Sequence, residues 1–113
     1  MNLKKSDLAA LLAVKDFIDL NYSEEMDIKR LSNLSQLHLV KLQYGFKELF
    51  KLPVYTYLKE LRMKHAADLL VTTELSIKEI AAAVGYRKTK KFSPMFKASY
   101  GVTPTQYRLR YSV

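Results

Sequence analysis

Apolar residues recur along this chain every three to four positions, and no stretch alternates apolar and polar residues as a half-buried strand would. The pattern predicts an all-α chain of about seven helices. A first helix, which Ser6-Asp7 can cap, runs to about Asn21 with Leu11, Val14, Phe17 and Ile18 on its buried side. Asp27 can cap a second, short helix carrying Ile28, Leu31 and Leu34. A third, from about Leu39 to Phe50, turns Leu42, Phe46, Leu49 and Phe50 inward. Pro53, whose fixed φ suits a helix start, then opens the longest helix, from about Val54 to Thr72. Its apolar stripe is Leu58, Leu61, His65, Ala66, Leu69 and Leu70, and at 1.5 Å per residue it spans roughly 28 Å.

Ser76-Ile77-Lys78-Glu79 fits a capping box, in which hydroxyl and carboxylate each satisfy an orphan amide. The fifth helix that follows carries Ile77, Ile80, Ala81 and Val84, and Gly85 is suited to stop it in a left-handed conformation. A sixth covers about Lys90 to Tyr100 and ends at Gly101. Thr103-Pro104-Thr105-Gln106 offers a second capping box, with Pro at the first helical position, for a short last helix.

The helices repeat. Ile28, Leu31, Ser32 and Leu37 recur 49 positions later as Ile77, Ile80, Ala81 and Tyr86. Leu42, Phe46, Lys47, Phe50, Leu52 and Tyr57 recur 50 positions later as Phe92, Phe96, Lys97, Tyr100, Val102 and Tyr107. The added residue falls between Tyr86 and Phe92, where one helix ends and the next begins. Each unit is a short helix, a tight turn and a longer helix, the outline of a helix-turn-helix whose second helix lies in the DNA major groove. A fragment of a protein-binding α-solenoid shares that outline, but solenoids usually need three or more repeats and two are present.

Charge separates these readings. The chain has 113 residues, 19 Lys+Arg and 11 Asp+Glu, for a net charge of +8. Residues 1–36 sum to −1 (five basic, six acidic) and residues 37–79 to +2 (seven and five). From Ile80 onward there are seven basic residues and no acidic one: Arg87, Lys88, Lys90, Lys91, Lys97, Arg108 and Arg110. So one-sided a field suits a polyanion, and Phe92, Phe96 and Tyr100 at helical spacing between the charges argue for a folded segment over a solvated tail. Both second helices set basic or polar residues opposite their apolar faces: Lys41, Gln43, Tyr44 and Lys47 in one, Lys90, Lys91 and Lys97 in the other. Two such helices would enter successive major grooves about 34 Å apart, a spacing the long helix could set within one chain.

Other classes are disfavoured. No cysteine is present, which removes disulfides, thiolate zinc sites and Cys nucleophiles, and three glycines compose no phosphate-binding loop. No apolar run approaches the roughly 20 residues of a membrane span, and no signal peptide opens the chain, so a soluble cytoplasmic domain is expected. An amphipathic membrane-surface domain is disfavoured because the core consumes the apolar stripes. His38 and His65 are unpaired at helical spacing and read as structural rather than as metal ligands or bases. Four of the eight tyrosines recur at core positions of the repeat (Tyr57, Tyr86, Tyr100, Tyr107), so packing accounts for them, whereas Tyr44 projects outward. No constellation supports an enzyme, a metal or a cofactor.

The stretch from Asp27 to Arg108 resembles the AraC/XylS-type DNA-binding domain. The best-matching segment is Ser76-Ile77-Lys78-Glu79-Ile80-Ala81-Ala82-Ala83-Val84-Gly85-Tyr86, followed by Phe92-Ser93, Phe96-Lys97, Gly101, Thr103-Pro104 and Tyr107-Arg108. Tyr57-Leu58, Leu61-Arg62, Ala66 and Leu69-Leu70 match the family's linker helix. The resemblance implies one DNA-binding domain over 1–113, with homeodomain-like helix-turn-helix units at 6–53 and 73–113 and a linker helix at 54–72. It implies sequence-specific binding to promoter DNA, control of transcription with RNA polymerase as a protein partner, and no small-molecule site in this segment. A monomeric domain is expected. By position, the family's base contacts fall on Val40, Gln43 and Tyr44 in the first recognition helix, and on Thr89, Lys90, Lys91 and Pro94 in the second. Phosphate contacts fall to Lys41, Lys47, Arg87, Lys88 and Lys97, with amides at the helix starts. The alternative from another class is a basic helical protein-interaction module with only nonspecific nucleic-acid binding.

The chain departs from the family pattern at four positions. Gln36 stands in the turn where Gly is frequent, and Lys51 replaces a Gly that often ends the third helix. Gly45 lies inside a recognition helix, at a cost of about 1 kcal/mol relative to Ala. Pro94 stands where a polar reader is common, and in a helix interior it would cost ~3 kcal/mol unless the helix starts late. The second unit is therefore expected to lean on Lys90, Lys91 and phosphate contacts, with weaker base discrimination.

Overall fold

The computed structural model describes residues 2–112; positions 1 and 113, the outer limits of the expected domain, lie outside the described residues. The described residues form seven α-helices and no strand: α1 (Lys5–Asn21), α2 (Ile28–Ser35), α3 (Leu39–Phe50), α4 (Val54–Thr72), α5 (Ile77–Ala83), α6 (Thr89–Tyr100) and α7 (Pro104–Tyr111). They fall into two compact units that divide within α4, between Lys59 and Glu60.

Local chemistry sets most of the helix ends. The Asp27 carboxylate accepts from the Arg30 amide at 2.8 Å and starts α2. Ser76 and Glu79 close a full capping box on α5: the Glu79 amide donates to Ser76 Oγ and the Ser76 amide to Glu79 Oε1, each at 3.0 Å. Thr103 and Gln106 do the same for α7, with Pro104 at the first helical position. The start of α1 differs from expectation. Its N-cap is Lys4, which has no acceptor to offer, and Asp7 works from the third position instead, taking the Lys4 amide at 2.9 Å. Ser6-Asp7 is therefore not the cap.

Each unit is built on the repeated residues. In the first, Leu31, Leu37, Leu42 and Phe46 are buried, and in the second their counterparts Ile80, Tyr86, Phe92 and Phe96 are buried likewise. The aromatic contacts repeat too. Phe46 meets Phe50 and Tyr57 at centroid distances of 4.6 and 5.6 Å, and Phe96 meets Tyr100 and Tyr107 at 4.7 and 5.4 Å. Tyr57 also donates from its hydroxyl to Asp19, whose other oxygen holds the Lys15 ammonium at 3.0 Å. This cluster fastens α1 to the start of α4 within the first unit. Burial, seconded by Asp19, pushes the Tyr57 hydroxyl above its ordinary pKa.

Several apolar assignments shift. Leu34 and Leu49, expected inside, are exposed. Tyr100 is partly exposed although its ring packs on Phe96. Met63 and Ala67 are buried and were not in the expected stripe of α4. Gly45 has a packing reason: it is buried, and a Cβ there would stand 2.7 Å from Leu11 Cδ1. The missing side chain lets α1 lie close against α3.

The two units solve the same backbone problem differently. Two positions in each take up left-handed backbone: Gln36 (φ 62°) and Lys51 (φ 69°) in the first, Gly85 (φ 108°) and Gly101 (φ 80°) in the second. These are equivalent by the repeat, and the Lys51 and Gly101 amides close on the Lys47 and Lys97 carbonyls at 2.8 and 2.7 Å. A non-Gly residue in this region costs roughly 1–2 kcal/mol, offset in part because Gly loses more freedom on folding. Lys51→Gly is therefore expected to stabilise the protein by about 0.5–1 kcal/mol. Gly101→Ala, which meets nothing within 4 Å, should cost about 1 kcal/mol through backbone strain alone. Urea unfolding of both variants checks the sign and the pairing.

The capping boxes also predict an acid dependence. Hydrogen bonds from Ser76 hold the Glu79 carboxyl below its ordinary 4.5, and the Lys4 amide, helped by Lys41, holds Asp7 below 3.8. A carboxyl lowered in the folded state contributes stability above its unfolded pKa and loses it as pH falls through the folded one. Thermal midpoints should therefore fall as pH drops below about 4.5. Glu79→Gln, which keeps the acceptor but not the charge, should flatten part of that decline.

Candidate nucleic-acid interface

The two helices that follow the tight turns each bury one face and expose the other. In α3, Leu42, Gly45 and Phe46 face the core. Val40, Gln43, Tyr44 and Lys47, spaced three to four apart, form one exposed stripe on the opposite side, with Val40 at 56% and Tyr44 at 40% exposure. All three expected base readers of this unit are thus on a single surface with Lys47. The start of α3 is capped by His38, whose Nδ1 accepts from the Val40 amide at 3.2 Å. That bond gives His38 a structural task and occupies one of the first amides of α3.

Lys41 is placed differently from the other expected phosphate contacts. Its Nζ lies 3.3 Å from Asp7 Oδ2, the oxygen that also takes the Lys4 amide. Part of its charge is therefore already answered by α1. No sequence signal links Asp7 to Lys41 across 34 positions.

In α6, Phe92 and Phe96 are fully buried, and Lys90, Lys91, Pro94 and Lys97 form the exposed side. Thr89 is half-buried, while Arg87 and Lys88 are exposed just before the helix. The expected base readers Thr89, Lys90 and Lys91 and the expected phosphate contacts Arg87, Lys88 and Lys97 thus gather along one helix and its entry. Unlike α2, α3, α5 and α7, α6 has no side-chain cap, because its N-cap is Lys88. Its first amides and the positive end of its dipole lie beside that lysine, an arrangement suited to an anion. The helix begins one residue earlier than expected, at Thr89, so Pro94 does stand in its interior and α6 does not start late.

Arg108 belongs to the frame and not to this surface. Its Nε donates to the Leu70 carbonyl at 2.9 Å and its Nη2 to the Thr73 carbonyl at 3.2 Å. The guanidinium so satisfies the carboxyl end of α4, where a cation is also favoured by the helix dipole. Arg62 has a comparable role, stacking over Tyr86 at 5.3 Å and standing 2.9 Å from where a Cβ at Gly85 would be. A side chain at Gly85 would displace it.

Residues 31–110 match the family model described as a helix-turn-helix domain. The HTH-type transcriptional activator RhaR of Mannheimia succiniciproducens is 30% identical over 110 residues, 97% of this chain and 40% of that protein. The chain therefore spans well under half the length of that relative. Among solved structures, the C-terminal domain of AraT, a response regulator from Geobacillus stearothermophilus, has a TM-score of 0.90 at 30% identity, covering 92% of this chain and 87% of that one. The DNA-binding domain of AdpA, a global transcriptional factor solved in complex with a target DNA, shares the fold with a TM-score of 0.87 at 24% identity over 90% and 92% of the two chains. With two tight-turned helix pairs each exposing a polar, basic stripe, and a family match over most of its length, this chain belongs to the AraC-type helix-turn-helix family of transcription-regulator DNA-binding domains.

Proposed function

We infer that the chain binds promoter DNA sequence-specifically as a monomer, laying α3 and α6 in successive major grooves. The observation that carries this reading is the doubled stripe: Val40, Gln43, Tyr44 and Lys47 on α3, and Lys90, Lys91, Pro94 and Lys97 on α6, each opposite a buried pair of the repeat. Gln43 and Tyr44 supply hydrogen-bonding groups for base edges, Val40 an apolar contact, and Thr89, Lys90 and Lys91 the base contacts of the second half-site. Lys47, Lys97, Arg87 and Lys88 meet phosphates, together with the amides at the start of α6. The units are a first helix-turn-helix over 6–53, a linker over 54–72 and a second over 73–113. The regulator acts in the cytoplasm, without catalysis, and passes its effect to RNA polymerase. No helix among the described residues is long and apolar enough to cross a membrane.

Selection of bound duplexes from a random library, followed by affinity against salt, tests this. The expected result is two short motifs about one helical turn, roughly 34 Å, apart, bound by one monomer. Absence of enrichment, with affinity that collapses uniformly with salt, would instead favour a basic protein-interaction module.

Asp7 offers a second test. Asp7→Asn keeps an acceptor for the Lys4 amide but releases Lys41 to the phosphates. The slope of log affinity against log salt should steepen by up to about 0.9, one phosphate's worth. An unchanged slope would mean that Lys41 serves α1 alone.

A further inference from the structure

Pro94 is an exposed apolar ring in the middle of a cationic stripe. Lys90 and Lys91 stand four and three residues before it on α6, and Lys97 three after. All lie opposite Phe92 and Phe96, the buried residues that hold the helix. A proline so placed has no amide for the Lys90 carbonyl, and its ring crowds the preceding turn. Nothing in the core requires it, since it is exposed. An alanine or serine would complete the helix and keep the same face.

We propose that Pro94 is a specificity residue that reads the 5-methyl group of a thymine in the second half-site. The inference rests on α6 lying in the major groove. There each base pair shows a distinct edge: guanine offers two acceptors, adenine an acceptor and a donor, cytosine a donor, and thymine an acceptor beside a methyl group. The pyrrolidine ring has no donor or acceptor, so among these groups only the methyl is its match. It is also rigid, and loses no rotamer freedom on contact. Lys90, Lys91 and Lys97 grip acceptors and phosphates around it, so the ring discriminates where the lysines add affinity. The second unit thus keeps a narrow but real preference at one base pair, through shape and burial and not through hydrogen bonds.

The test uses the duplex selected above and a version in which one thymine under α6 is replaced by deoxyuridine, which removes the methyl alone. One thymine position should weaken binding about fourfold, the factor expected from burying one such group. Pro94→Ser, which restores the helical amide and so retains the fold, should bind the two duplexes equally. Two results would overturn the proposal: wild-type binding indifferent to deoxyuridine at every thymine of that half-site, or a Pro94→Ser protein as sensitive as wild type. A selected second half-site with no thymine would overturn it too. Each of these leaves bipartite DNA binding intact. Failure of the selection to enrich any motif under α6 would remove both readings together, and is seen before any deoxyuridine is used.

Discussion

A surface helix can offer a fixed set of side chains to a partner only if its rotation about its own axis is fixed. In both units that constraint is met by a buried aromatic and the rings around it: Phe46 against Phe50 and Tyr57, Phe96 against Phe92, Tyr100 and Tyr107. Each of these phenylalanines is fully buried. Because successive side chains on a helix are 100° apart, anchoring Phe46 sends Val40, Tyr44 and Lys47 outward, and anchoring Phe96 does the same for Lys90 and Pro94. Truncating either ring would open a cavity and also free the helix to turn, so packing and presentation are here one property.

Fixing the rotation is not enough, since the helix must also leave its predecessor at a set angle. That is the work of the left-handed residue in each turn, Gln36 in one unit and Gly85 in the other. In the second unit the absence of a side chain also admits the Arg62 guanidinium, which in turn lies on Tyr86. In the first unit Gln36 donates from its side-chain amide to the Asn33 carbonyl at 2.9 Å. A side chain at 85 would meet both the left-handed backbone and the Arg62 guanidinium, whereas at 36 the left-handed backbone is carried by Gln.

The features legible in the sequence were those encoded within a few residues. Capping boxes at Ser76–Glu79 and Thr103–Gln106, the Asp27 cap, the start after Pro53 and the stop at Gly101 all rest on neighbours in the chain. The repeat extended this reach, because two copies of one pattern show which apolar positions a fold needs. What escaped were pairings across 34 to 38 positions: Asp7 with Lys41, Arg108 with the Leu70 and Thr73 carbonyls, Tyr57 with Asp19. Charge-counting placed Arg108 with the polyanion-binding residues, and only geometry shows it spent on a helix end. Gly45 follows the same rule. By propensity it weakens α3, whereas its real neighbour is Leu11, remote in sequence.

These long-range pairings make the two stripes electrostatically unequal. In the first unit α1 brings acidic residues to the helix-turn-helix, and Asp7 answers Lys41 directly. The second unit has no acidic residue from Ile80 onward, and its recognition helix opens on Lys88 with no side-chain cap. Ammonium groups are compact charges without directional forks, well suited to phosphates and to guanine acceptors but poor at telling one neighbour from another. Gln43 and Tyr44, by contrast, carry directional donors and acceptors. The two stripes thus differ in chemistry: directional donors and acceptors on α3, ammonium charges on α6. Within such a surface the rigid apolar ring of Pro94 stands out, because salt does not screen an apolar contact.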